Sequence, residues 1–583
     1  MDARSVRGRG TVPLGFLPVV LSLACTDDPV QPEASASGQA PVAAAVVAPP
    51  GAAASVKVRV PAALRTPPFD VDRYLTVPPN FTVAVYARVS RARFMAAAPN
   101  GDLLVSSPSA GRIYLVRPSA TGGSPTVTTW ASGLYKPHDV VFHAINGVTY
   151  VYVAEADKIA RYTYHSGDAT GQGRQVVVSG LPNASSAELH GSYGHELKNI
   201  ALGPDHKLYV SIASTCNACL SDTRSSPLRG AIYQYNADGT GRRLFARGLR
   251  NAEGLAFVPG TNTLWAVVNN RDNIAYPFRN DWNAYGTIDY RKVIQSYVDN
   301  HPPEAFTRVR GGGNYGWPFC NPNPDSPSGL SNMPFDRDVQ LNASGLRLNC
   351  GLADRITRGI QAHSAPLGLT FLQGTNAPRA YRNGAVVALH GSWNRASRTG
   401  YKVVHFPWDA AAQLPGSQTD LVRGWLSGGV VWGRPVDVAV APHGSLYISD
   451  DRSGTIYAFA YTPAVTSLTL VDAERDVPIA GYNPIPSGAT LNLARLPTRR
   501  LSIRANTSPS RVGSVRFAYD GTANYRTENN FPYVIGADRN GDYLPWTPSL
   551  GDHTIRATPY TQWYAGGIAG RALTVRFKVV DQP

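Results

Sequence analysis

The 583-residue sequence lacks a second long apolar run, so no later segment reaches the length that crosses a bilayer as a helix. Charged residues are only 16% of the chain, and Lys and Arg never form a run or a basic helix face, despite a formal net charge of +15. Scattered single cations argue against nucleic-acid binding. Cysteine is scarce as well, at five residues. Cys216-Asn-Ala-Cys219 has no second CxxC and no closely spaced histidine pair to complete a zinc site. What is plentiful is Gly (55), Pro (46) and Tyr (29), alongside 43% hydrophobic residues. That mixture favours many short strands joined by turns over long helices.

The N-terminus reads as an export signal. Arg4, Arg7 and Arg9 precede an apolar stretch from Leu14 to Leu23, and Leu21-Ser-Leu-Ala-Cys25 has the form of a lipoprotein cleavage site. We therefore expect a signal peptide over 1–25 with lipid on Cys25, and an Ala/Pro-rich tether over 26–66. The body would then lie outside the cytoplasm, in the periplasm or on the outer cell surface, touching the membrane only through the lipid. An oxidising compartment and an even number of remaining cysteines predict two disulfides, Cys216–Cys219 and Cys320–Cys350.

One pattern recurs six times: a polar residue, a short apolar run, a Pro or Gly turn, then a Leu-Tyr-Val-like strand. Examples are Leu197-KNIALGPDHKLYVSIAS, Asn251-AEGLAFVPGTNTLWAVV and Val436-DVAVAPHGSLYISD. Units that cannot bury both faces alone must stack on neighbours. Six antiparallel units over about four hundred residues predict an all-β, six-bladed β-propeller over 67–464. After Pro463 the repeat stops, and alternating strands from Ser467-LTLVDAE to Ala572-LTVRFKVVD predict an immunoglobulin-like β-sandwich over 465–583. The polar residue before each apolar run falls at one end of the channel, which assembles Arg93, His138, His195, Arg250, His363 and Arg434 there. Converging His and Arg suit a small anion.

The segments Gly194-HELKNIALGPDHKLYVSIAS, Gly248-LRNAEGLAF, Gly312-GNYGWP, Ala362-HSAPLGLTF, His390-GSWNRASRTGYKVV and Gly433-RPVDVAVAPHGSLYISD run in an order that resembles the pyrroloquinoline-quinone-dependent glucose/sorbosone dehydrogenases, closest to the sorbosone- and pyranose-dehydrogenase-like branch. The resemblance covers roughly residues 70 to 463. It implies an enzyme that oxidises a sugar by base-assisted hydride transfer to the quinone, with calcium as second cofactor and an external quinone or cytochrome as electron acceptor. His195 matches the family's base, and a neutral imidazole suits removal of a hydroxyl proton. Arg250, Asn251, Asn269 and Arg434 match cofactor-binding positions, with His138, Trp393 and Arg395 as further contacts. The backbone carbonyls of Asn270 and Arg271 match calcium ligands, and Glu304 and Tyr315 a second calcium site.

The sequence also departs from the pattern. Soluble glucose dehydrogenases carry Asp nineteen residues after the base, where Ser214 stands here, leaving Glu196 and Glu253 as candidates to orient His195. Residues 272–304 form an aromatic-rich insertion that either caps the channel mouth or lengthens a sheet edge. Two competing readings are a calcium-dependent hydrolase or lactonase, disfavoured because the converging residues are basic, and a non-catalytic surface propeller that binds carbohydrate.

Overall fold

The computed structural model describes residues 52–583 apart from residue 376; the signal segment and Cys25 lie outside the described residues. Among the described residues there is one α-helix, the four-residue Gln295–Val298, and nearly everything else is strand or turn.

Six sheets, antiparallel apart from one parallel edge pair in the third, follow one another in the chain. Their first strands are Met95–Ala97, Val140–Ile145, Ile200–Leu202, Asn251–Phe257, Pro366–Phe371 and Pro435–Val440. Within each sheet the strands meander outward from this first one. Each first strand packs on the first strand of the next sheet, and the sixth packs on the first. The ring is therefore closed and propeller-like. A backbone hydrogen-bond ladder fastens it, because Phe81–Arg88, which precedes the first sheet in sequence, is the outer strand of the sixth sheet and pairs with Thr455–Tyr461.

Side-chain alternation explains the packing. A strand lying between two sheets buries odd and even positions against opposite neighbours. In Leu103–Ser107, all buried, Leu104 faces the second sheet while Leu103 and Val105 face the sixth. In Leu264–Asn269, Leu264 and Ala266 pack toward the third sheet and Trp265 and Val267 toward the fifth. Six such apolar clusters fill the gaps between consecutive sheets. Near the axis the sheets approach so closely that side chains must vanish. A Cβ on Gly254 would lie 2.4 Å from the Leu367 carbonyl oxygen, and one on Gly368 would lie 2.2 Å from Asp437 Oδ1.

The segment read as a tether is partly folded. Ala54–Lys57 pairs with Tyr74–Val77, and the two extend the fifth sheet outward, with Val58 and Phe69 buried behind them. The expected boundary at 67 rests on Ala and Pro content, which does not register a short edge strand. Beyond the ring, residues 464–580 form two further sheets of four and five strands around Leu468, Leu470, Ile503, Phe517, Ile555 and Phe577. This unit rests on the ring through Ser445 Oγ, which donates to the Thr561 carbonyl at 2.8 Å, and through Trp563, whose ring meets His443. Both expected disulfides are formed, Cys216–Cys219 and Cys320–Cys350.

Candidate functional site: the charged mouth of the ring

In a hairpin the end of the second strand lies beside the start of the first. Asn251 thus faces Asn269, and Pro435 faces Asp450. Residues just before each first strand and just after each second strand therefore share one mouth of the ring. The first set contains Arg93, His138, His195, Arg250, His363 and Arg434; the second contains Ser214, Asn270, Arg271, Asp272, His390 and Asp451.

His195 is mostly buried, and its Nδ1 lies 2.9 Å from the Ser214 carbonyl oxygen and 3.0 Å from Ser214 Oγ. A carbonyl only accepts, so the proton sits on Nδ1 and Nε2 keeps its lone pair. Burial, then the nearby Arg250 charge, push this imidazole down to about 4, so it is neutral at ordinary pH. Neither carboxylate suggested by the sequence orients it. Glu196 is taken by Lys136, the Tyr135 hydroxyl and the Ala184 N–H. Glu253 faces Asn251, which donates to it at 3.1 Å, and His138.

Two carboxylates organise the cations. Asp451 accepts from Arg93 and Arg434, each at 3.1 Å, and from His390 at 3.1 Å. Arg93 in turn donates to His138 Nε2 at 3.2 Å. His138 is fully buried, and burial followed by Arg93 holds it well below the usual imidazole range. Across the mouth, Asp272 pairs with Arg250 at 3.0 Å and with His363 Nδ1 at 3.4 Å. His363 Nε2 donates to the Val298 carbonyl at 2.8 Å. Burial opposes protonation of His363, but the Asp272 bond and the Glu304 charge outweigh it and raise its pKa. Sequence reasoning missed Asp451 and Asp272. Their signal is positional: they follow second strands, at the same end where the polar residues precede first strands.

Trp393, Arg395 and Arg434 line one open cavity of about 740 Å³ together with Arg398 and Arg452. The Trp393 ring is 74% exposed. Arg395 is held by the carbonyl of Asp299, at the end of the 272–304 insertion. That insertion thus meets the mouth twice, at His363 through Val298 and at Arg395 through Asp299, behind an aromatic cluster of Tyr276, Trp282 and Tyr297.

The residues tied to calcium are distributed less tightly. Asn270 N–H donates to Glu304 at 2.6 Å, Asn269 Nδ2 donates to the Pro366 carbonyl, and the Arg271 guanidinium pairs with Asp338. Arg250 also reaches the Asn269 carbonyl at 3.4 Å. Tyr315 is held elsewhere, its hydroxyl bonded to the carbonyl of Arg308 and the N–H of Arg310. Glu304 and Tyr315 thus have different hydrogen-bond partners. Among the described residues no three His, Cys, Asp or Glu side chains cluster as for a metal ion.

A closed ring of sheets with an arginine- and histidine-lined mouth defines a propeller-like protein. Residues 75–462 match the TrAA12-like family model, and the chain belongs to that family. A curated relative, an uncharacterised protein of Borreliella burgdorferi, is 24% identical over 67% of this chain and 92% of its own length. The pyrroloquinoline quinone-dependent pyranose dehydrogenase of Coprinopsis cinerea is 34% identical over 37% of this chain, a match that spans only 31% of that protein. Among solved structures, the holo pyranose dehydrogenase PQQ domain from Coprinopsis cinerea superposes with TM-score 0.54 at 21% identity, covering 66% of this chain and 97% of that one. The calcium structure of the Trichoderma reesei carbohydrate-active enzyme of family AA12 gives 0.53 at 18% identity, over 67% and 97%. These likenesses establish the fold.

Proposed function

We propose that this chain is a quinoprotein sugar dehydrogenase: a six-bladed propeller, one blade per sheet, with a C-terminal immunoglobulin-like sandwich. It would oxidise an aldose, pyranose or sorbosone-like sugar with pyrroloquinoline quinone and calcium. The observation that carries this reading is His195, whose Nδ1–H is committed to a backbone carbonyl while Nε2 stays unprotonated at the mouth. Family membership and the pyranose dehydrogenase relative support it.

The donor set suits the quinone. Three carboxylates on a flat ring system call for guanidinium forks and an aromatic face. The cavity lined by Arg434, Arg395 and the exposed Trp393 offers both, and the buried Nε of Arg93 has no hydrogen-bond partner. His138, Arg250, Asn251 and Asn269 complete the proposed contacts, and the Asn270 and Arg271 carbonyls are the proposed calcium ligands. When bound, the quinone supplies a carbonyl electrophile that accepts hydride, with calcium as the polarising cation. The protein's own part is to orient the sugar carbon at the mouth and to take its hydroxyl proton on His195 Nε2. We also propose export with a lipid on Cys25, a reading supported by the basic-apolar N-terminus and by two disulfides in the folded body.

The test is spectroscopic. Titration of pyrroloquinoline quinone with calcium into the purified protein should build a bound-quinone absorbance band that an aldose bleaches. Arg434→Ala should weaken that binding at least tenfold, since a charge-assisted bond is worth about 1.5–3 kcal/mol once the bound cofactor covers the guanidinium. A protein that takes up no quinone would overturn the dehydrogenase reading and leave a carbohydrate-binding propeller.

A further inference from the structure

A second arginine cavity is linked to Arg250 through Trp317 and the Asn217 carbonyl. It has a volume of about 560 Å³ and is lined by Arg224, Arg229, Arg247 and Arg347, with Trp317 and Phe319 as flat walls and no carboxylate in the lining. Arg224, Arg247 and Arg347 are exposed, and none of the three guanidiniums has an acidic partner among the described residues. Arg229 is buried. It pairs with Glu188 and, at 3.4 Å, with Asp222, yet its Nε is buried without a hydrogen bond. Like charges around one cavity repel, and the field they create is relieved by an anion. Guanidinium forks beside aromatic faces favour one that is small, multiply charged and delocalised.

One residue joins this cavity to the candidate centre. Trp317 Nε1 donates to the Asn217 carbonyl at 3.1 Å. The same carbonyl accepts from Arg250 Nε at 3.1 Å, and Asn217 Oδ1 accepts from Arg250 Nη2 at 3.1 Å and from the Asp272 N–H at 2.8 Å. Asn217 lies within the Cys216–Cys219 disulfide loop, and the residue two positions before that loop, Ser214, carries the carbonyl that fixes His195. The cavity and the mouth are thus both tied to one short, cross-linked segment. A molecule in the cavity would leave the mouth clear for sugar.

We propose that this cavity docks the electron acceptor, a small anionic one-electron oxidant. The proposal rests on the dehydrogenase reading above. The electron count requires an acceptor, because an alcohol carbon that becomes a carbonyl loses two electrons and two protons; the arginine lining is what selects a small anion. With quinone bound, the two electrons would leave to two acceptor molecules at this cavity, each reduced by one electron, and the two protons would go to solvent.

Ferrocyanide is the probe for binding and ferricyanide for turnover. In quinone-free protein at low salt, calorimetry should show ferrocyanide binding that the doubly substituted R247E/R347E protein weakens at least tenfold and that added salt weakens in the wild type. In enzyme loaded with quinone and calcium, the same variant should raise KM for ferricyanide at least tenfold and change KM for the cationic N-methylphenazonium by less than twofold. Should the double variant fold poorly by circular dichroism, R247Q/R347Q serves in its place, with an expected effect of at least threefold on both ferrocyanide affinity and ferricyanide KM. Unchanged ferrocyanide affinity in the folded variant overturns the site. Weakened binding with an unchanged ferricyanide KM overturns the acceptor role and leaves an anion site. Wild-type enzyme that bleaches no quinone with any sugar defeats the dehydrogenase reading, and with it the acceptor role, whatever ferrocyanide does.

Discussion

Asp451 and Asp272 stand on opposite sides of the same mouth and do different things with their neighbours. Asp451 gathers two arginines, and the histidines near it are depressed: burial lowers both His390 and His138, the Asp451 bond and charge raise His390 without outweighing burial, and the Arg93 charge lowers both. Asp272 gathers one arginine and one histidine, and there the histidine is raised. The difference lies in what the second imidazole nitrogen meets. His363 donates to a carbonyl through Nε2 and faces a carboxylate through Nδ1, so the cation is solvated on both sides. His195 has its carbonyl at Nδ1, with the Arg250 guanidinium as a depressing charge nearby. One ring of sheets therefore sets paired cations and a neutral imidazole at the same mouth.

The most severe way to break this comparison is to remove the base. His195→Ala should leave quinone affinity near normal and cut turnover roughly 10²–10⁴-fold, the usual worth of a positioned general base. His363→Gln, by contrast, should cost turnover less than about tenfold on this scale, because its cation sits on Asp272 and not on a transferable proton. Equal losses from both substitutions in reconstituted enzyme would show that the two imidazoles are not distinguished as the geometry implies.

Removing each carboxylate tests the other half of the comparison. Asp451→Asn leaves Arg93 without its anion in a site where the Arg93 side chain is 14% exposed and Asp451 is 12% exposed. Asp272→Asn does the same to Arg250, 5% exposed. Breaking one member of a buried ion pair costs about 3–5 kcal/mol, so each variant should lose about 3 kcal/mol in denaturant unfolding. Asp451→Asn should fall further because it strands two arginines. A loss below about 1 kcal/mol for either would mean that water already screens the pair.

The cationic half of this arrangement is legible in the chain itself. Arg93, His138, His195, Arg250, His363 and Arg434 all precede an apolar run that repeats, so the repeat places them at a common mouth. Asp451 and Asp272 obey the same geometry but follow the second strand, where the sequence shows only a strand end. The orientation of His195 is not legible, because the group that fixes it is a backbone carbonyl, which any residue at 214 supplies. Glu304 and Tyr315 are paired through likeness to relatives alone, and the local loop gives the Tyr315 hydroxyl partners of its own. Composition also misleads at residues 54–66, where Ala, Val and Pro read as tether although a short run pairs onto an existing edge.

A gentler measurement follows the protons. In quinone-free protein, histidine NMR should place the His195 midpoint near 4 and the His363 midpoint above the ordinary value of about 6.5. Folded His195 binds its proton more weakly than an unfolded imidazole. Its share of stability is therefore complete above about pH 6.5 and is lost as pH falls toward 4. His363 has the opposite sign: its contribution is complete below about 6.5 and is lost as pH rises through its elevated value. Activity that needs a neutral His195 should persist down to mildly acidic pH and fall only as the medium approaches pH 4. Coincident midpoints for the two rings would erase the contrast between the two sides.

The smallest expected effect concerns Trp393, which belongs to neither carboxylate. Its side chain is 74% exposed, so it contributes almost no buried area, and Trp393→Ala should change unfolding free energy by less than about 0.5 kcal/mol. A large exposed indole is unfavourable to hydrate and gains only when something covers it. In the cavity it shares with Arg395 and Arg434, the covering group proposed is the flat face of the quinone. Stacking of that kind is worth about 0.5–1.5 kcal/mol beyond area burial, which corresponds to a roughly two- to twelvefold loss of quinone affinity. The same titration that follows Arg434→Ala reads this directly. Affinity unchanged within twofold, with stability also unchanged, would place the indole outside the cofactor's footprint and leave the guanidiniums alone to hold it.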